Sequence, residues 1–340
     1  MTSIESSAFA NFLCNLQHIE RNFSEPKTKN MNDNPGILKM IRAPFLSSII
    51  APIVIGTLWS AGVKESFDVL NFIVVLLIGV GLHVATNVYN DIYDTLQGTD
   101  KVNEHRNESS GGSGVLLDHP ELMGKMYFLA RTGLVVAFGG TIALTFLINK
   151  ELRVLLWVLF LVSAFFSKYY TAPPAKLAYR GWGEVSVWLA FGPMAILIAA
   201  VSQNMVFHSQ LPWLLPTTGL STSSILLVGQ MIDLEADRKG GKHGVASRRG
   251  TRFTSVLYVV VQLALAINIL LLFTQYPGNT WPLLLSLLPY ILLFPKAAGI
   301  IWKHHADPDQ LKAGAKLTVL IHLVFSVTMI IGFVLYNFLN

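Results

Sequence analysis

The sequence predicts an all-α membrane protein that crosses the bilayer nine times. Of its 340 residues, 52% are hydrophobic and only 13% are charged, whereas a soluble domain carries about 25% charged residues. Nine apolar stretches reach the roughly 20 residues that a helix needs to cross the hydrocarbon core. Runs such as Ile73–Val80 do not alternate polar with apolar residues, which disfavours a β-barrel. The composition excludes a disordered chain and most soluble enzymes, and the single cysteine, Cys14, excludes a disulfide framework.

The expected spans follow one another with short polar connections. In order, they cover approximately Pro44–Val63, Val69–Asp91, Gly124–Leu147, Leu152–Tyr169, Gly183–Ser202, Leu211–Ile232, Phe253–Phe273, Trp281–Trp302 and Leu317–Phe338. We expect residues 36–340 to form a single transmembrane domain and residues 1–35 to form a polar N-terminal extension. Apolar residues at helical spacing in this extension predict either a short helix on the membrane surface or a disordered tail; they are Phe9, Phe12, Leu13, Leu16 and Ile19.

The basic residues orient the spans. Cytoplasmic connections of membrane proteins carry an excess of Lys and Arg. If the N-terminus is cytoplasmic, 20 of the 25 Lys and Arg residues fall in segments on that side, and three fall on the other side. We therefore expect an integral membrane protein with a cytoplasmic N-terminus and an external C-terminus. Because the basic residues follow the alternation of the loops rather than one face, we expect no nucleic-acid partner.

Polar side chains interrupt the apolar pattern at the end of the second span. Asn87, Asn90, Asp91 and Asp94 have helical spacing and form one stripe on that helix. Since the second span runs towards the inside, the stripe lies at its cytoplasmic end. An acid at the bilayer centre costs roughly 2.5–3.5 kcal/mol, and several acids gathered in a closed site need cations.

A second polar cluster ends the sixth span on the same side of the membrane. It consists of Gln230, Asp233 and Asp237, which repeat the first cluster at a constant offset of 143 residues. Gly98 and Gly241 share that offset. The correspondence indicates a pseudo-repeat that brings two similar helix ends together. The alternative, that these acids only mark where spans enter water, does not explain the shared spacing.

The two clusters and their basic neighbours fit a diphosphate bound with Mg²⁺. Hard oxygen ligands at this spacing suit Mg²⁺, which carboxylates commonly hold together with substrate phosphates. Basic residues that can bind an anion follow each cluster, namely Lys101 and Arg106 after the first and Lys242, Arg248 and Arg249 after the second. The sequence thus predicts an anion site with Mg²⁺ at the cytoplasmic ends of two helices.

Three groups of residues along residues 36–338 form specific motifs. They are Asn90-Asp91-Ile92-Tyr93-Asp94 with Gly98 and Asp100, then Tyr170-Thr171-Ala172-Pro173-Pro174 with Tyr179-Arg180-Gly181-Trp182-Gly183-Glu184 and Phe191-Gly192-Pro193, and finally Asp233-Leu234-Glu235-Ala236-Asp237. The first and last resemble the two aspartate-rich motifs of the UbiA superfamily of intramembrane prenyltransferases. The middle group resembles the connector of its 1,4-dihydroxy-2-naphthoate prenyltransferase branch.

This resemblance implies a nine-helix bundle and a reaction. Mg²⁺ between the two motifs binds a prenyl diphosphate, the diphosphate leaves, and an acceptor, usually an aromatic ring, attacks the carbocation. By this resemblance, the expected Mg²⁺ ligands are Asn90, Asp91, Asp94, Asp100, Asp233 and Asp237. Residues expected to bind the diphosphate are Asn87, Lys101, Arg106, Tyr170, Arg180, Lys242 and Arg249. Catalytic roles are expected for Asp94, Lys168, Glu184 and Asp237.

Some of these features have a second interpretation. Glu184 could orient an acceptor hydroxyl or accept a proton, or it could only interact with Arg180 and the helix dipole. Lys168 could neutralise the leaving diphosphate or only stand with aromatic residues at the membrane interface. The stretch Ser109-Ser110-Gly111-Gly112-Ser113-Gly114 could cradle phosphate or cover the site, or it could be a flexible linker.

The leading interpretation is Mg²⁺-dependent transfer of a prenyl group to an aromatic, quinone-precursor-like acceptor among membrane lipids, at a site facing the cytoplasm. The chain has His243-Gly244-Val245 where the naphthoate branch commonly has Arg-Thr-Leu, which leaves the acceptor open. An intramembrane terpene cyclase of the same fold is an alternative, distinguished by product formation without an acceptor. A cation-coupled transporter is disfavoured because its site should lie near the midplane. Nothing in the sequence sets the oligomeric state.

Overall fold

Nine helical segments that are long and apolar enough to span a membrane make up most of the described chain. The computed structural model describes residues 35–105 and 111–340. Within them the spans, named α1 to α9 in chain order, are Ala43–Lys64, Val69–Leu96, Pro120–Leu147, Lys150–Tyr169, Gly183–Ser202, Leu211–Ile232, Thr251–Phe273, Trp281–Lys303 and Pro308–Leu339. The prediction of an all-α protein with nine spans is confirmed for these residues. The predicted surface helix lies outside them, and the domain boundary after residue 35 stays a prediction.

Short helices lie in the connections that follow α2, α4 and α6. They are Asp100–Val102 and Val115–Asp118 after α2, Leu177–Arg180 after α4, and Leu234–Lys239 and Val245–Arg249 after α6. A further short helix, Ile37–Met40, precedes α1. The connections after α2 and α6 begin at the ends of the spans that carry the two polar clusters.

Two helices extend beyond their expected apolar limits. α2 continues from the expected end at Asp91 to Leu96, and α9 begins at Pro308 rather than at Leu317. Hydropathy locates only the apolar part of a helix, whereas the backbone hydrogen bonds of α2 continue through its polar stripe. The start of α9 is stabilised by proline in its first turn and by the side chain of Asp307, which accepts two backbone N–H groups.

Small residues let the spans cross closely. A Cβ added at Gly81 of α2 would lie 2.5 Å from the carbonyl oxygen of Gly133 on α3. A Cβ at Gly56 of α1 would lie 2.6 Å from the carbonyl oxygen of Ile196 on α5. Glycine at such crossings allows tight packing of helices inside a membrane. These contacts pack α2 against α3 and α1 against α5.

α5 contains one turn of π-helix at Ala190–Met194, with Pro193 inside it. Proline cannot donate a backbone hydrogen bond, and single π-turns are frequent at functional sites. The hydroxyl of Thr218 on α6 donates to the Phe191 carbonyl oxygen at 2.6 Å. The irregular turn is therefore tied to α6, next to the cavity described below.

Candidate active site

A cavity of about 270 Å³ lies between α1, α2, α4, α5 and α6. Along α2 its lining changes from Ile78 to Asn90, and along α6 it changes from Ile225 to Asp233. The cavity thus has an apolar part within the spans and a polar part at their ends. The polar part is lined by Arg42, Asn87, Asn90, Asp94, Thr99, Asp100, Asn103, Tyr170, Gln230, Asp233, Asp237 and Lys242. Further polar side chains on the cavity wall are Ser48, His83, Thr86, Ser163, Ser167, Ser186 and Thr222.

Asp94 and Asp237, one from each polar cluster, converge on the ammonium group of Lys242. Lys242 Nζ donates a hydrogen bond to Asp94 Oδ2 at 2.6 Å and lies 4.0 Å from Asp237 Oδ1. Asp94 is held from two more sides, because Asn90 Nδ2 donates to its Oδ2 at 3.1 Å and Tyr179 Oη donates to its Oδ1 at 2.8 Å. Two clusters that are far apart in sequence therefore meet at one point.

The segments that follow the two clusters also correspond in conformation and pack together. Gly98 and Gly241 both have positive φ, 84° and 75°, which glycine adopts without steric cost. A Cβ at Gly240 would overlap the side chain of Thr99. The offset of 143 residues seen in sequence thus relates two equivalent turns, which contact each other beside the cavity.

Asp100 and Asp233 complete the acidic wall of the cavity. Asn103 Nδ2 donates to Asp233 Oδ1 at 2.9 Å, and Thr95 Oγ1 donates to Asp100 Oδ2 at 3.4 Å. Asp100 is only 4% exposed. The short segment after α2 therefore brings one further acid to the site and fixes Asp233 of the second cluster.

Burial and neighbouring charges set the protonation of these groups. Burial raises the pKa of Asp237 to about 7, although Lys242 opposes the change. Burial alone would lower the pKa of Lys242, but Asp94 and Asp237 outweigh it and hold that pKa well above its ordinary range. Burial also raises the pKa of the Tyr170 and Tyr179 hydroxyls, so both stay protonated near neutral pH and can donate hydrogen bonds.

The donor atoms of the polar part fit Mg²⁺. This ion prefers oxygen ligands and is commonly held by one or two carboxylates with phosphates and water. Within residues 35–105 and 111–340, no three His, Cys, Asp or Glu side chains already stand close enough to enclose a metal ion, and the Lys242 ammonium lies between the Asp94 and Asp237 carboxylates. The predicted ligands on the cavity wall are Asn90, Asp94, Asp100, Asp233 and Asp237.

Glu184 lies behind the cavity wall, where it orients Gln230. Gln230 Nε2 donates to Glu184 Oε1 at 2.8 Å, and the backbone N–H of Val245 donates to the same oxygen at 2.6 Å. Arg248, rather than the expected Arg180, provides the nearby positive charge at 3.9 Å. The Glu184 carboxylate therefore joins α5, α6 and the segment after the second cluster, and its catalytic role stays a prediction.

The residues predicted to bind the diphosphate are divided between the cavity and the surface. Asn87, Tyr170 and Lys242 line the cavity. Outside its lining lie Lys101, Lys168, Arg180 and Arg249; all except Lys168 are exposed, and Lys168 Nζ is 5.2 Å from the centre of the Tyr169 ring. Asp91 also lies outside the lining and is 2% exposed. Arg106, Ser109 and Ser110 fall outside the described residues. The roles assigned to all of these stay predictions.

Some polar residues of the site were missed in the sequence. Arg42 lines the cavity and has a left-handed backbone, with φ 55° and ψ 52°. In the sequence it served only as one of the basic residues that orient the spans. Asn103 lies just after the first motif and belongs to none of the motifs, so nothing in the sequence marked it as a site residue. Tyr179 lies in the connector motif, which could have indicated its contact with Asp94. A tyrosine between two basic residues, however, resembles an ordinary interface residue.

Two known proteins of similar sequence are named as prenyl-type transferases for a naphthoquinone and a naphthoate. The chain is 27% identical over 301 residues to a 2-carboxy-1,4-naphthoquinone phytyltransferase of Synechocystis sp., covering 87% of this chain and 92% of the relative. It is 27% identical over 223 residues to a 1,4-dihydroxy-2-naphthoate octaprenyltransferase of Mycobacterium leprae, covering 64% of this chain and 71% of that relative.

Solved structures share the fold. A UbiA homolog from Aeropyrum pernix K1 superposes with a TM-score of 0.62 at 14% identity, covering 84% of this chain and 97% of that one. A UbiA homolog from Archaeoglobus fulgidus, solved with DMAPP and Mg²⁺ bound, gives a TM-score of 0.55 at 12% identity, covering 86% and 98%. At such low identity these likenesses establish the architecture alone.

The family comparison covers the larger part of the chain. The UbiA prenyltransferase family matches residues 127–321, a range that includes the connector and the second polar cluster. The first cluster lies before this range, but it meets the second at the Lys242 ammonium in the same cavity. The chain therefore belongs to the UbiA prenyltransferase family.

Proposed function

We propose that this protein transfers a prenyl group from a prenyl diphosphate to an aromatic, quinone-precursor-like acceptor inside the membrane. The supporting observation is that Asp94 and Asp237 meet at Lys242 at the polar end of a cavity whose other part is mainly apolar. A prenyl diphosphate has the same division into a charged head and an apolar chain. Each half of such a substrate thus finds a matching environment in one cavity.

The polar end receives the diphosphate head. Mg²⁺ held by Asn90, Asp94, Asp233 and Asp237 would supply positive charge to the phosphate oxygens and stabilise the leaving diphosphate. Lys242 lies next to that position. Its ammonium can therefore exchange its hydrogen bond to Asp94 for a hydrogen bond to a phosphate oxygen. Hydrogen bonds between charged partners of this kind are roughly twice as strong as those between neutral groups.

The apolar part receives the prenyl chain. Phe45, Phe166 and Phe191 line it together with aliphatic residues of α1, α2 and α6. A cavity of this composition excludes water, which would otherwise quench an allylic carbocation. The faces of the aromatic rings attract positive charge and favour the cation until the acceptor attacks.

The acceptor is an aromatic ring of the naphthoate type in this proposal. Support comes from the relatives, whose names specify naphthoquinone and dihydroxynaphthoate substrates. We also propose that the site faces the cytoplasm, since 20 of the 25 Lys and Arg residues lie in the segments on that side. A water-soluble diphosphate head would then be bound from the compartment that contains it.

Purified protein in lipid nanodiscs tests the proposal. Prenyl diphosphates of several chain lengths are offered with 1,4-dihydroxy-2-naphthoate and with simple phenols, in Mg²⁺ or in EDTA. We expect a prenylated acceptor and free diphosphate in Mg²⁺ only. A terpene formed equally well without any acceptor would instead identify a cyclase, and the absence of any product from all combinations would refute the proposal.

Substitutions of the meeting carboxylates test the site. We expect Asp94→Ala and Asp237→Ala each to abolish transfer, because each removes a carboxylate that would hold the Mg²⁺ needed to stabilise the leaving diphosphate, while the helical circular dichroism persists. Asp309→Ala is the matched control, since Asp309 is an exposed acid at the start of α9. Full activity of either cavity variant would end the assignment of these residues.

A further inference from the structure

Asp91 belongs to the first aspartate-rich motif, but its carboxylate does not face the cavity. Asn90 and Asp94 line the cavity, whereas Asp91 lies outside the lining and is 2% exposed. Successive residues of an α-helix are rotated by about 100° because a turn holds 3.6 residues. The helix that presents Asn90 and Asp94 to the cavity therefore directs Asp91 towards the segments on its flank.

The first of these segments is the glycine turn, Gly111–Gly114. The backbone N–H of Ser113 lies 3.2 Å from both carboxylate oxygens of Asp91. Gly112 lines the cavity with φ 74°. A Cβ at this glycine would lie 3.0 Å from Asp100 Oδ2 and 3.2 Å from Asp91 Oδ1. The turn is thus packed between two carboxylates and held by one of them.

The second partner of Asp91 is Arg42, whose side chain is 16% exposed and lines the cavity. Arg42 Nη1 lies 3.9 Å from Asp91 Oδ1, and the guanidinium covers the Phe45 ring at 4.7 Å. The left-handed backbone of Arg42 is uncommon for a residue with a side chain and persists where the surrounding structure constrains it. Asp91 and Phe45 together fix the guanidinium at the cavity wall.

We propose that Asp91 is a positioning residue, not a Mg²⁺ ligand, and that it fixes the Arg42 guanidinium and the glycine turn at the diphosphate end of the cavity. Its two oxygens are already engaged by a cation and a backbone N–H. Without this acid, the Arg42 guanidinium could pair with Asp94 or Asp100, whose carboxylates the metal needs. This role rests on the proposed function only for the identity of the substrate.

Two isosteric variants on the same helix test the role. Asp91→Asn removes the charge but keeps the shape, and Asp94→Asn is the matched change at a predicted metal ligand. Half-saturation by Mg²⁺ is measured for both variants by calorimetric titration, and the transfer rate of Asp91→Asn is measured against prenyl diphosphate concentration. Hydrogen–deuterium exchange of residues 111–118 is followed separately in substrate-free nanodiscs without Mg²⁺, so that this readout does not depend on activity.

The two variants should differ in which measured quantity changes. We expect Asp91→Asn to raise the KM for prenyl diphosphate by about tenfold or more, the scale of losing a charge-assisted hydrogen bond, with unchanged Mg²⁺ half-saturation. Exchange of the Ser113 amide should accelerate by a similar factor. Asp94→Asn should raise the Mg²⁺ half-saturation instead and leave the Ser113 amide protected.

A rise in Mg²⁺ half-saturation in Asp91→Asn equal to that in Asp94→Asn, with unchanged exchange at residues 111–118, would overturn the role and make Asp91 a ligand. If neither the natural protein nor any variant transfers a prenyl group, the proposed function fails. The hydrogen–deuterium exchange data then still decide the role of Asp91. If Asp91→Asn does not fold, Arg42→Gln replaces it: a raised KM at unchanged Mg²⁺ dependence supports the role, and an unchanged KM contradicts it.

Discussion

Replacing Lys242 with methionine removes the ammonium group that stands between the two carboxylates while keeping a side chain of similar length. In the free protein this ammonium offsets the charge of Asp94 at 2.6 Å and of Asp237 at 4.0 Å. A bound divalent cation would need the same carboxylates. We therefore expect Lys242→Met to destabilise the protein without Mg²⁺, to strengthen its binding of Mg²⁺ alone, and to impair prenyl transfer.

The magnitude follows from burial. The side chain of Asp94 is 3% exposed and that of Lys242 is 17% exposed, so the pair is largely shielded from water. Removing one partner of a buried ion pair costs about 3–5 kcal/mol, and the partial exposure of Lys242 places the cost at the lower end. Binding of Mg²⁺ at about 100 times its Kd would raise the free energy of unfolding by about 2.7 kcal/mol. Most of the lost stability should therefore reappear when Mg²⁺ is added.

Thermal unfolding in detergent, with EDTA and with increasing Mg²⁺, measures both effects. Lys239→Met is the matched control, because Lys239 is an exposed lysine at the end of the short helix Leu234–Lys239, just before Lys242 in the chain. The control should behave like the natural protein under all conditions. An unfolding temperature of Lys242→Met equal to that of the natural protein in EDTA, with an equal shift on adding Mg²⁺, would show that Lys242 does not balance the carboxylates.

Two further predictions concern protons and packing. Because burial raises the pKa of Asp237 to about 7 and Mg²⁺ binds the carboxylate form, lowering the pH through that value should weaken Mg²⁺ binding, approaching about tenfold per pH unit below it. Calorimetric titration between about pH 6 and pH 8 measures this, and a pH-independent affinity contradicts it. A Cβ at Gly81 would lie 2.5 Å from the backbone carbonyl oxygen of Gly133, so Gly81→Ala should cost about 1–3 kcal/mol through overpacking. Thermal unfolding checks this against Gly299→Ala, which has open space; equal unfolding temperatures of the two variants would refute it.

The spans and the two polar clusters could be predicted because their signals are local. Twenty apolar residues in a row have few other stable solutions than a membrane helix. Helical spacing placed Asn87, Asn90 and Asp94 on one face of α2, although Asp91, which we expected in the same stripe, lies outside the cavity lining. Gly98 and Gly241 extended the repeat to the turns, and both have positive φ in the structure. The helix ends were predicted less well, since α2 and α9 continue into polar sequence that hydropathy does not register.

The site residues from outside the motifs could not be predicted because they depend on distant contacts. Arg42 precedes the first span, and only the packing of α1 against α2 brings it to Asp91. Asp91 and Asn90 are neighbours in one motif. Because successive helix residues are rotated about the axis, Asn90 faces the cavity and Asp91 faces the flank of α2. For Glu184, the sequence suggested Arg180 as a partner, whereas the folded chain provides Gln230, Val245 and Arg248.

The sequence by itself determined the nine helices, the family and the two acidic helix ends, since each depends on continuous stretches or short motifs of the chain rather than on contacts between distant segments. The tertiary structure decided which oxygens share a cavity, that Lys242 stands between Asp94 and Asp237, and that several predicted basic residues remain outside the lining. The physical reason is that charge interactions depend on distance and burial, and neither is defined until the helices pack.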